Sequence, residues 1–394
     1  MKKFFGFLLL FTISVSYVQA QHDSCHLQIS LLTCAPGEEL YSTFGHSALR
    51  VQERASGIDI IFNYGTFQFG PDFYKKFVRG KLLYYVSIEE FSSFREQYQF
   101  ESRSMQEQIL QLSCTDKQQL FAALKTNAAE ANKYYRYDFL FDNCSTRLRD
   151  IVKANTTGTV RFANILPAKI PTFRNLLYTY LDNGGQHWSK FGIDLLLGSR
   201  LDIKVTNEQA MFLPDYLLKG FANASVSSKP LASPPQTILQ MPTPLRGNSI
   251  LQPMVVLSAL LLLVIILSFM PSVKAQKALA FFDFLLFLIL GLTGCLLIFM
   301  WTATDHALCK NNYNLLWALP THAAAAFFLR SNGKLISYYL LATIVVQAFL
   351  VVGWIFLPQE FNLAFLPLVL LVLLRSWLII LKPFNHGTSE RAAA

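Results

Sequence analysis

The chain has 394 residues, a formal net charge of +9 and 53% hydrophobic residues. The charge is dispersed, with no dense Lys/Arg run interleaved with aromatics, which argues against a nucleic-acid-binding protein. A modest, dispersed basic charge suits contact with anionic lipid headgroups instead. No cofactor is expected.

In chain order, Lys2 and Lys3 precede an apolar stretch ending in the small-residue pattern Val18-Gln19-Ala20. Residues 1–20 therefore read as a secretory signal, too short in its apolar part to count as a span. Cys25 lies too far beyond Gln21 for a lipoprotein anchor. Residues 21–221 follow as one exported domain, long enough to bury an ordinary core.

Strands are predicted at 27–33, 46–52, 59–64 and 82–88, rich in Ile, Leu, Val and aromatics. A helix is predicted over 115–134 with Thr115 as its N-cap, and another starts near Asn143 and Cys144. Strands early and helices late make the domain α+β. Residues 222–250 are rich in Pro and Ser and read as an extended linker.

Apolar runs then cover 252–270, 280–301, 313–329, 335–357 and 361–381, predicting a five-helix transmembrane bundle over 251–382 and a tail over 383–394. The third run is diluted by His322 and small residues. Lys274, Lys277, Arg330, Lys334, Lys382 and Arg391 fall on one side, against Lys310 alone on the other. That bias puts the N-terminal domain in the periplasm and the C-terminus in the cytoplasm, in agreement with the signal. Asp283 and Arg375 lie inside apolar runs, where charge is costly and is partnered or near an interface. Snorkelling to the inner face is the simpler reading for Arg375.

Of the cysteines in the exported domain, Cys144 is expected to be free, leaving at most one bridge among Cys25, Cys34 and Cys114. Cys144 follows Asp142-Asn143 at a helix start, where unpaired N–H groups and aligned peptide dipoles favour a thiolate. Arg147 and Arg149 add positive field. His46, opening a strand within Phe44-Gly45-His46-Ser47, is the best general base. Asn63 or Tyr64 on the next strand could orient it, and spacing does not choose between them; Asp142 is a further candidate. His22, His26 and His187 are weaker bases. No metal-ligand spacing is present.

His46 on a strand, ahead of Asn143-Cys144 at a helix start, resembles the circularly permuted papain-like fold of NlpC/P60 and lecithin–retinol acyltransferase relatives. A closer resemblance spans most of the chain. Leu31-Leu32-Thr33-Cys34-Ala35-Pro36-Gly37, the Phe44–Arg50 motif, Asn63 to Phe67, Tyr137 to Asp150 and Phe191 to Gly198 resemble the bacterial Lnb-type family. So do Thr304-Asp305-His306 and the following Asn312, Asn314 and Trp317.

This resemblance implies lipoprotein N-acylation at the bacterial inner membrane. The acyl chain of a phospholipid passes through a Cys144 thioester to the N-terminal amine of a diacylated lipoprotein. It also implies substrate contacts from Asn143, Arg147 and Arg50. Asp305, His306, Asn312 and Asn314 either contact substrate or anchor and cap helices. Two other readings are a membrane-tethered cysteine peptidase or amidase acting on cell-wall peptides, and a non-catalytic envelope assembly or transport protein.

Overall fold

The computed structural model describes residues 25–242, 249–331 and 333–381. The expected signal, part of the linker and the tail lie outside these residues. In chain order the exported part contains β1 (Leu27–Cys34), β2 (His46–Glu53), β3 (Ile58–Thr66), α1 (Phe73–Val78), β4 (Leu83–Glu90), α2 (Phe91–Phe100), β5 (Met105–Ile109), α3 (Cys114–Ala128), β6 (Tyr134–Arg136) and α4 (Cys144–Ala154). Then come β7 (Val160–Phe162), α5 (Phe173–Asn183), α6 (His187–Leu196), α7 (Asn207–Ala210), α8 (Pro214–Ala222), β8 (Ala224–Val226), β9 (Lys229–Pro230) and β10 (Gln236–Leu239).

Seven of these strands form an antiparallel sheet in the order β10-β5-β1-β2-β3-β4-β6. β1 is buried along nearly its whole length because it is interior and covered on both faces. On one face Ile29, Leu49, Phe62 and Tyr64 pack under Leu120 and Leu124 of α3 and Leu148 and Val152 of α4. On the other, Leu32, Ala48 and Ile61 pack under Phe94 and Tyr98 of α2. A Cys25–Cys114 disulfide ties the lead-in to β1 to the first residue of α3. Cys144 is free, as expected, and so is Cys34.

The predicted strands recur with small shifts, and α3 starts one residue earlier than expected. Its N-cap is Ser113, whose Oγ accepts from the Asp116 N–H at 3.1 Å, and Thr115 lies inside the helix. The expected linker over 222–250 is largely folded. Gln236 to Leu239 form the sheet's edge by pairing with β5, and Ala224 to Val226 pair with β7 and β9. Pro and Ser content misled here because edge strands tolerate residues without a ladder N–H.

The C-terminal part holds α9 (Pro253–Ser268), α10 (Val273–Thr302), α11 (Thr321–Ala325), α12 (Lys334–Gly353) and α13 (Leu366–Leu381). Among the described residues, three helices are long and apolar enough to cross a membrane: α10, α12, and α13 together with the 3-10 turn before it. α9 is apolar but shorter.

The expected third span is not one regular helix. It is a 3-10 turn at Tyr313–Leu316, the five-residue α11 and a second 3-10 turn at Ala326–Phe328. Pro320 lacks the N–H that a continuous helix would need. The broken backbone is instead buried against α10, where a methyl on Gly291 or Gly294 would overlap Ala323 or Ala318. Irregular backbone survives at membrane depth when protein covers it.

Arg375 does not snorkel. Its Nε and Nη2 donate to both oxygens of Asp283 at 2.6 and 2.8 Å, and its Nη1 donates to Ser268 Oγ at 2.7 Å. One guanidinium thus joins α13, α10 and α9, with every member buried. Loss of one partner strands a buried charge, so Asp283→Leu or Arg375→Leu alone is expected to destabilise the bundle by about 3–5 kcal/mol. The double Leu variant should recover most of that loss. Thermal unfolding in detergent reads this, and equal losses in the single and double variants would refute the coupling.

Candidate active site

His46 enters β2 through Gly45, whose φ of +80° and 2.8 Å approach of a would-be Cβ to the Cys34 carbonyl oxygen leave no room for a side chain. The antiparallel β2–β3 register then brings the His46 ring beside Asn63, with His46 Nε2 at 2.7 Å from Asn63 Oδ1. Asn63 Nδ2 donates to Glu89 Oε1 at 2.9 Å, and Ser87 Oγ donates to the same oxygen at 2.6 Å. The carboxylate of Glu89 fixes the amide, and the amide oxygen accepts the imidazole Nε2–H. The other ring nitrogen, Nδ1, is left to face the thiol.

Tyr64, the alternative orienting residue, points to the other face of β3. It is fully buried in the core under α3, and its hydroxyl accepts from Asn127 Nδ2 at 3.0 Å. The period-two alternation of a strand separates neighbours 63 and 64. Asp142 does not contact His46; it holds Arg147 in a two-pronged ion pair at 2.5 and 2.8 Å.

Cys144 is the first residue of α4, and the cap of that helix reserves its free donors. Asn143 Oδ1 accepts the Thr146 N–H at 2.9 Å, and Thr146 Oγ1 accepts the Asn143 N–H at 2.8 Å. This capping box satisfies two of the four unpaired N–H groups of a helix start. Among the described residues, the N–H groups of Cys144 and Ser145 meet no hydrogen-bond acceptor. Burial alone would push the Cys144 thiol up, but the His46 imidazolium, its hydrogen bond and a Ser47 backbone N–H outweigh that and lower it from 9.0. His46 responds in kind: burial pushes it down, and the facing thiolate and Asn63 carry it above 6.5. The charged form of each group thus favours the charged form of the other.

Several residues expected to contact substrate are held by contacts within the fold. Asn143 is the cap, and its amide also donates to the Phe139 and Phe212 carbonyls, both at 2.8 Å. Arg147 pairs with Asp142 and lies over the Tyr135 ring at 3.5 Å. Arg50 is held by Asp59 and Glu107 and lies over the Phe91 ring at 3.4 Å. Each occurs within a motif that does contribute to the site, and sequence adjacency cannot separate a supporting residue from a reacting one.

Asn312 and Asn314 bind the exported domain. Asn312 Nδ2 donates to the Leu195 and Leu196 carbonyls at 2.8 and 3.1 Å, and Asn314 Nδ2 donates to the Asp194 carbonyl at 2.7 Å. They cap the C-terminus of α6 from the membrane domain. Asp305 and His306 clasp the segment around α1: the Asp305 N–H donates to the Arg79 carbonyl at 3.0 Å, and His306 Nε2 lies 2.8 Å from the Phe77 carbonyl.

From that clasp a ladder of rings leads toward the thiol. Phe77 to Phe73 is 6.0 Å between centroids, Phe73 to Phe67 5.8 Å, Phe67 to Tyr84 5.4 Å and Tyr84 to Tyr137 4.4 Å. A Cβ placed on Gly65 would touch both the Tyr137 ring at 3.5 Å and Cys144 Cβ at 3.9 Å. Sequence reasoning missed this ladder, the Thr146 cap and Glu89. Only Glu89 had a usable signal, since pairing 82–88 with 59–64 places Ser87 across from Asn63.

Among the described residues no cluster of His, Cys, Asp or Glu could hold a metal ion.

A strand histidine facing a helix-start cysteine, in a domain clamped onto apolar helices, defines a membrane-integral protein with a thiol–imidazole centre. One family model, the Lnb N-terminal periplasmic domain, matches residues 14–179, and a second, the Lnb transmembrane domain, matches residues 246–385. The chain belongs to the Lnb family, with a periplasmic N-terminal domain, a multi-pass membrane domain and a membrane-associated role in lipoprotein processing. Comparison with curated proteins and with solved structures finds no match.

This mutual influence sets a pH signature. Iodoacetamide alkylation of Cys144, followed by peptide mass spectrometry, is expected to reach half its maximal rate below pH 9.0, the ordinary thiol value. His46→Ala removes the charge that opposes burial, so the midpoint should move above 9.0. An unchanged midpoint in that variant would show that the imidazole does not tune the sulfur.

Proposed function

We propose that the protein is a thiol-dependent lipoprotein N-acyltransferase of the bacterial inner membrane. The observation that carries this reading is the Cys144–His46–Asn63 constellation, held by a periplasmic domain whose α1 segment and α6 are clasped by the membrane domain. A thiol so placed meets substrates anchored in the outer leaflet of that membrane. The Lys/Arg distribution supports five crossings and a cytoplasmic C-terminus, with the broken third segment counted as one. The order of His46 before Cys144 supports a circularly permuted papain-like reading of the sheet and α4.

The Cys144 proton passes to His46, and the thiolate attacks the ester carbonyl of a phospholipid. The developing oxyanion lies toward the Cys144 and Ser145 N–H groups, donors already oriented and, among the described residues, without another partner. The C–O ester bond breaks, His46 returns its proton to the departing oxygen, and a lysophospholipid leaves. The acyl group is then a thioester on Cys144.

The α-amine of a diacylglyceryl-cysteine lipoprotein attacks that thioester. Its proton goes to His46, the C–S bond breaks, and an amide and the regenerated thiol result. A thioester favours attack by the amine over water where water is excluded. Asn63 holds the imidazole so that Nδ1 faces sulfur through both half-reactions. No cofactor enters this scheme.

Incubation of the full-length protein with phospholipid, then intact mass spectrometry, should find one acyl mass on Cys144. The adduct should be absent in Cys144→Ala, along with N-acylation of a diacylated lipopeptide. Asn63→Ala frees the ring to rotate and is expected to slow turnover by about 10²-fold, the usual cost of a small misplacement. Cleaved cell-wall peptides in place of an acyl adduct would favour a peptidase or amidase. Full activity of Cys144→Ala would leave the thiol without a chemical role.

A further inference from the structure

The segment between β3 and β4 is unlike the rest of the exported surface. Phe69 and Tyr74 are each 75% exposed and Phe77 is 49% exposed. Lys75, Lys76, Arg79 and Lys81 are interleaved with them, all exposed, and none pairs with a carboxylate among the described residues. Asp72 is the sole acidic residue in the segment. Clustered exposed rings on a domain surface mark a contact site rather than ordinary solvated surface.

The height of this segment is fixed independently of its composition. α10 ends at Thr302, and within four residues Asp305 and His306 hold the Arg79 and Phe77 carbonyls. The clasp puts α1 at the mouth of a helix long and apolar enough to cross a membrane. Aromatic rings favour the headgroup level of a bilayer, and unpaired cations there gain from anionic lipid. Composition and position thus indicate the same occupant, and the ring ladder continues from that level to Tyr137 beside Cys144.

We propose that residues 67–83 form a membrane-surface paddle that seats on anionic phospholipid headgroups and leads an acyl chain of the seated lipid along the ring ladder toward Cys144. The seating rests on the surface alone. The second clause rests on the acyltransferase reading and names the donor that would be preferred: a phospholipid with net negative charge. Lys75, Lys76, Arg79 and Lys81 hold the headgroup, while Phe69 and Tyr74 enter the interface.

Photo-crosslinking tests the seating without any turnover. Tyr74 of the full-length protein is replaced by p-benzoylphenylalanine in nanodiscs of phosphatidylcholine, with and without phosphatidylglycerol. After irradiation, the peptide containing position 74 should carry a phospholipid mass. The phosphatidylglycerol adduct should exceed its mole fraction by at least about threefold, given the attraction of several cations near the surface. That excess should fall with added salt. It should disappear when Lys75, Lys76, Arg79 and Lys81 are all changed to Gln, with Cys144 alkylation retained as the check on folding.

Absence of a lipid adduct, an adduct to another protein, or a yield indifferent to lipid charge in the otherwise unchanged chain would overturn the proposal. A protein that crosslinks to anionic lipid but forms no acyl-thioester would leave the paddle standing and remove the acyltransferase reading. One that acylates Cys144 without crosslinking would do the reverse.

Discussion

The C-terminus of α6 ends against the membrane domain, and its last carbonyls have no partner within their own helix. Asn312 and Asn314 supply those partners from across the interface, and Asn362 Nδ2 adds a hydrogen bond to Asp194 Oδ2 at 2.9 Å. Behind them Arg174, 1% exposed, donates to Asp194, Asp202 and the Gly198 carbonyl. A methyl on Gly198 would overlap the Lys310 carbonyl oxygen, so the two backbones meet at the closest approach that glycine permits. Buried polar groups of this kind are costly unless all are satisfied at once. The two domains therefore have one well-defined relative placement, and the position of Cys144 relative to the apolar helices follows from it.

Within that fixed frame the electrostatics of the site are set locally. A cysteine that is 7% exposed resists ionisation, and burial by itself would leave Cys144 inert. His46 and the Ser47 N–H reverse the balance, and the Asn143–Thr146 box leaves two helix-start donors without competing acceptors among the described residues. In the proposed acyl transfer, the same burial that penalises the thiolate would keep water from the thioester. One environment thus disfavours hydrolysis and, through specific partners, still permits the nucleophile to form.

Within the membrane the polar interactions serve cohesion. Arg375, Asp283 and Ser268 satisfy one another at the junction of α9, α10 and α13, and Gln347 Nε2 donates to the Leu316 carbonyl of the broken segment at 3.1 Å. Apolar faces in lipid gain little from meeting one another, so close backbone approach and a few hydrogen bonds must order the bundle. Gly291 and Gly294 provide the first of these, and the guanidinium provides the second.

The sequence by itself determined the division into an exported and a membrane part, four of the sheet's strands, the helix beginning at Cys144 and the pairing of that cysteine with His46. Each rests on local physics: apolar run length, alternation, capping residues and the chemistry of a helix start. It also narrowed the orienting residue to Asn63 or Tyr64, and there local information ended, because two neighbours on a strand differ only in the face they present. Tertiary structure decided that choice, gave Asn143, Arg147 and Arg50 partners within the fold, placed Asn312 and Asn314 as caps on α6, and broke the third apolar segment. It also joined Arg375 to Asp283 across 92 residues of sequence and drew β10 out of an apparent linker. These outcomes depend on which groups meet across long stretches of chain, and no pattern of nearby residues encodes the partner a buried charge or a free carbonyl will find.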